Sequence, residues 1–67
     1  MSAPALFSKE GTWLQWTVTA TNDQLETMRA KAWKIQSTGN DLREQIQADF
    51  VVQTIDWQLS DRHEEAA

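Results

Sequence analysis

The chain has 67 residues, six basic against ten acidic side chains, a net charge of −4 and no cysteine. These totals exclude a second domain, a disulfide framework and thiolate zinc chemistry, and they are too acidic for a general binder of phosphate backbones. A lone core of this size is marginal, so assembly with copies of itself or with another protein is the expected supplement.

No apolar run approaches the roughly 20 residues of a membrane span. The opening MSAPALFSKEG has no basic segment followed by an apolar one, as a secretory signal would. The expected location is therefore cytoplasmic, without membrane contact. Residues 1–11 hold the only proline, Pro4, and one of the two glycines, Gly11. They read as a flexible arm unless Leu6 and Phe7 dock.

Residues 12–20, TWLQWTVTA, are rich in β-branched and aromatic types and alternate in polarity. The pattern predicts a short strand. Leu14, Trp16, Val18 and Ala20 would line its buried face, and Trp13, Gln15, Thr17 and Thr19 the other. Trp13 would then face outward as a candidate partner contact. In a helix, by contrast, Trp13 and Trp16 would share one face.

TNDQ, residues 21–24, has the form of a capping box, with Thr21 as cap and Gln24 reaching back. A helix over about 22–37 follows, its stripe being Leu25, Met28, Ala32 and Ile35. Trp33 lies off that stripe. It is either laid over Arg29 or offered to a partner, and the partner contact is favoured.

STGND, residues 37–41, breaks the pattern. Gly39 suits a left-handed position after the helix, and Asn40 or Asp41 can cap the next one. The stripe stays in phase through Gly39, so one long helix is the alternative, at a cost of about 1 kcal/mol for the glycine.

A second helix is expected over about 41–61, although DFVVQTIDWQL, residues 49–59, has high β propensity. An unpunctuated passage from helix to strand is unusual. On a helical wheel Leu42, Ile46, Phe50 and Trp57 fall in one arc of about 80°, and Ala48, Val51, Val52, Ile55 and Leu59 in another of about 100°. Such a helix is apolar on two faces, and a chain this short has little to cover the second. Trp57, sharing a stripe with Phe50, reads as core. Residues 62–67 form a charged tail. Asp61, His63, Glu64 and Glu65 suggest a metal site only superficially, with no second histidine to support it.

The expected fold is thus mainly α with a short N-terminal strand, in the order β-α-α with a helical hairpin, over residues 12–61. The expected assembly is an intertwined homo-oligomer. Its interface would use Val51, Val52, Ile55 and Leu59, with Trp13 and Trp33 as outer contacts. An α+β fold with a second strand at 49–59 is the alternative.

Catalytic chemistry has little to build on. The chain has no Cys, no Tyr and a single His, and no phosphate-loop, dinucleotide or paired-histidine zinc motif. No enzyme activity, cofactor or metal is expected. The reading is a small homo-oligomeric protein–protein interaction or regulatory module. Alternatives are a DNA-binding regulator of antitoxin-like type and an accessory subunit of an enzyme complex. Strand-helix-helix is the order of elements in ribbon-helix-helix DNA-binding dimers. Here, however, the outward strand face would carry no Arg or Lys to read guanine, which makes nucleic acid an improbable partner.

Overall fold

The computed structural model describes residues 3–66, with side chains as far as His63. Three helices follow one another: α1 (Glu10–Thr19), α2 (Asn22–Thr38) and α3 (Leu42–Ala66). At 1.5 Å per residue the 25 residues of α3 run about 37 Å, which sets the 39 Å long axis of the molecule. Both α1 and α2 pack against α3.

The expected strand at 12–20 is α1, and no strand occurs among the described residues. Two features outweigh the local β propensity. A lone strand has no partner for its backbone groups, whereas a helix satisfies them within itself. The threonines, poor helix formers in isolation, turn their hydroxyls onto preceding carbonyls: Thr17 Oγ1 donates to Leu14 O at 2.9 Å and Thr19 Oγ1 to Trp16 O at 3.1 Å. Tertiary burial does the rest. Trp13, Trp16, Thr17 and Ala20 follow helical spacing and are all buried, while Leu14 and Val18, expected inside, are exposed. Trp13 and Trp16 pack edge to face, ring centroids 5.7 Å apart at 88°. Leu6 packs against the same core, and its carbonyl accepts from Trp13 Nε1 at 3.4 Å. Phe7 remains exposed.

The start of α2 follows its capping box. Gln24 N donates to Thr21 Oγ1 at 3.1 Å and Thr21 N to Gln24 Oε1 at 2.8 Å. Leu25 and Ala32 are buried, with Met28 and Ile35 packed on the same core. The helical hairpin is present, but Gly39 is not left-handed: its φ is −67° and ψ 145°. Its requirement is space. A Cβ there would lie 2.5 Å from the carbonyl oxygen of Ile35. Asp41 then caps α3, its Oδ1 accepting from Arg43 N at 2.9 Å.

Residues 49–59 are helical throughout, so the second-strand alternative falls away, and α3 continues past residue 61 through Ala66. The tail therefore contributes structure. Arg62 Nη2 donates to the carbonyls of Thr17 (3.0 Å), Val18 (3.2 Å) and Ala20 (2.7 Å), and Nη1 donates to Asn22 Oδ1 at 2.7 Å. One cation thus satisfies carbonyls at the negative end of α1 and ties the α1–α2 corner to α3.

Candidate functional site

Both arcs of α3 exist as the wheel describes them, and they point in opposite directions. The arc of Ala48, Val51, Val52 and Ile55 is buried, with Leu59 packed beside it. The other arc faces away: Leu42 is 68% exposed, Ile46 62% and Trp57 73%, while Phe50 is half-buried at its edge. The expectation that Trp57 is core is corrected here. With α1 helical, Trp13 and Trp16 fill the interior beside α3, and no element among the described residues covers its outer side.

The residues proposed from sequence for an oligomer interface therefore lie in the core of a single chain. Val51 and Ile55 are fully buried, Val52 nearly so, and Leu59 partly. Trp13, expected outward on a strand, is fully enclosed on the helix. Trp33 is 56% exposed. It does not cover Arg29, whose guanidinium instead makes a two-pronged ion pair with Asp56 through Nε–Oδ1 and Nη2–Oδ2. The hydrogen bond and then the charge of Asp56 raise the Arg29 pKa above its usual value, so Arg29 stays cationic.

Two polar pairs run along the seam between α2 and α3. One is Arg29–Asp56; the other is Gln36–Asp49, in which Gln36 Nε2 donates to Asp49 Oδ1 at 2.9 Å. Seven residues forward along α2 thus correspond to seven back along α3, so the helices are antiparallel and Trp33 lies level with Val52. Both polar pairs sit between the inner core and the outer side of this two-helix layer. Trp33 lies about 40° beyond Arg29 on the wheel, and the Leu42–Ile46–Trp57 stripe lies beyond Asp49 and Asp56. The exposed tryptophan of α2 and the apolar stripe of α3 consequently share one side of the molecule.

Elsewhere the surface carries shallow concavities. One of about 370 Å³ is lined by Trp16, Met28, Thr27, Lys31, Asp23 and neighbours. Another, of about 480 Å³, lies beside Leu59, Arg62 and His63. Trp16 Nε1 and Gln47 Nε2 are buried without a hydrogen-bond partner among the described residues. No group of His, Asp or Glu among the described residues is placed to hold a metal ion. Glu64 and Glu65 of the superficial metal cluster have side chains outside that description. No helix among the described residues is long and apolar enough to cross a membrane.

The described residues form a small helical domain with Leu42, Ile46 and Trp57 of α3 and Trp33 of α2 exposed on one side, and Leu14 and Val18 exposed on α1. No family model, curated protein or solved structure matches the chain.

Spacing alone shows two apolar faces on α3 but not that the stripe carrying Trp57 faces outward, and Arg62 has no part in the expected fold. A signal was available: Arg62 follows Ile55 by seven residues and falls on the buried arc, where a polar residue needs a partner.

Proposed function

We propose that this protein is a small cytoplasmic interaction module that works by associating with a second copy of itself, and that it carries no catalytic chemistry of its own. The observation supporting this most is the exposed line Leu42, Ile46 and Trp57, opposite the buried face of the same helix. Burying such side chains contributes roughly 1.5–3 kcal/mol each, a gain the isolated chain forgoes. Trp33 adds a second large aromatic on that side, and aromatic side chains are over-represented at binding hot spots. A marginal 67-residue core gains most from such an assembly.

The antitoxin-like reading loses its main structural premise, because the segment that would enter a DNA groove as a strand is the helix α1. The net charge of −4 argues the same way.

The reading is tested by thermal unfolding at two protein concentrations a hundredfold apart. Association linked to folding makes the melting temperature rise with concentration. The triple variant Leu42→Ser, Ile46→Ser, Trp57→Ser should melt at one temperature at both. A wild-type melting temperature independent of concentration would refute self-association.

A further inference from the structure

Resting on that reading, we infer that two copies pack α3 against α3 in antiparallel fashion, about a two-fold axis level with residue 52. Charge on the rim of the apolar stripe points to this arrangement. Arg43 and Asp61 are exposed and belong to no ion pair among the described residues. They are 18 residues apart, which at 3.6 residues per turn is five whole turns, so both lie on one line of α3 just beyond Phe50.

In a symmetric antiparallel pair the same rim of each helix faces itself. Arg43 of each copy then meets Asp61 of the other, twice, and the midpoint of the two numbers puts the axis at residue 52. A parallel pair forms neither contact. It also aligns the two helix dipoles unfavourably.

A second relationship, independent of those charges, arrives at the same level. The Arg29–Asp56 and Gln36–Asp49 pairs set Trp33 level with Val52. Trp33 stands on the opposite rim of the stripe, so the two-fold axis brings the Trp33 side chains of both copies toward each other. Trp57, five residues past the axis, falls between Ile46 and Phe50 of the second copy. The four helices α2, α3 and their copies form one bundle. The contact is isologous and closed, so it ends at a dimer.

The chain has no cysteine, so single engineered cysteines report distance directly. Gln53 lies in the stripe next to the axis, and Ser60 lies in the same stripe seven residues away. Under oxidation Gln53→Cys should cross-link into covalent dimers and Ser60→Cys should not. Equal cross-linking at both positions means a parallel pair and overturns the proposal.

Charge reversal gives a second measurement. Arg43→Asp and Asp61→Arg should each weaken dimerisation by about tenfold, and the double variant should recover most of it. Both reversals suit the helix dipole at their ends of α3, so folding is not at stake. Failure of the double variant to recover, with the wild type dimeric, overturns the antiparallel arrangement alone. A wild type that stays monomeric throughout overturns this inference together with the self-association beneath it.

Discussion

Ile55 and Trp57 stand two residues apart on α3 and point in opposite directions: Ile55 is fully buried, and Trp57 is 73% exposed. The first belongs to the fold and the second to the outer face, so substitutions at the two positions separate folding from association.

Ile55→Ala should destabilise the monomer by about 2–5 kcal/mol, the range for truncating a buried large aliphatic side chain. Trp57→Ser should leave monomer stability within about 0.5 kcal/mol, as for a surface substitution. Urea unfolding followed by circular dichroism at low protein concentration checks both. Equal losses would mean that Trp57 is part of the monomer core.

Arg62→Ala should cost about 1–3 kcal/mol, because it removes a charged donor from three carbonyls and the Asn22 side chain. Arg62→Lys should restore only part, since one ammonium cannot reproduce the planar fork. The loss should concentrate in α1, and amide hydrogen exchange there is the measurement. Unchanged protection of α1 in Arg62→Ala would show that the carbonyls do not depend on this cation.

Gly39→Ala has a sign opposite to the usual one. At φ −67° alanine is ordinarily tolerated, and glycine replacement stabilises by roughly 0.4–1 kcal/mol. Here the new Cβ would stand 2.5 Å from the Ile35 carbonyl oxygen, so the hairpin must shift. A loss of about 1 kcal/mol or more is expected in the urea midpoint. A gain in stability would show that the turn relaxes freely.

The four tryptophans divide into two classes. Trp13 and Trp16 are buried, while Trp33 is exposed alongside Trp57. Iodide quenching at low concentration should reach the second pair only, giving a curved Stern–Volmer plot. On raising the concentration the quenchable fraction should fall as Trp33 and Trp57 become covered. Quenching unaltered by concentration would place both outside any contact.

What could be read from the sequence depended on how local its cause was. The Thr21–Gln24 capping box and the Leu25–Met28–Ala32–Ile35 stripe are set by neighbours within a few turns, and both appear as expected. The break at Gly39 is equally local, but its cause is the space beside the Ile35 carbonyl one turn earlier rather than a left-handed backbone. Residues 12–20 favour a strand locally through threonine, valine and tryptophan, yet they are helical. Their helix depends on burying Trp13 and Trp16 in the core shared with α3. As a strand residue Trp13 points outward, and on the helix it is buried; Trp57, which reads as core from the stripe it shares with Phe50, is exposed. The two apolar arcs of α3 are legible from spacing alone, but which arc faces the core is decided by where α2 and α1 pack on it.

The most direct test is the absolute molar mass of the wild-type chain, by light scattering behind size exclusion, across a hundredfold range of concentration. A closed dimer should shift from 7.7 kDa toward twice that mass as concentration rises, with no larger species. A constant 7.7 kDa throughout would contradict it, leaving Leu42, Ile46 and Trp57 as a face that no second copy covers.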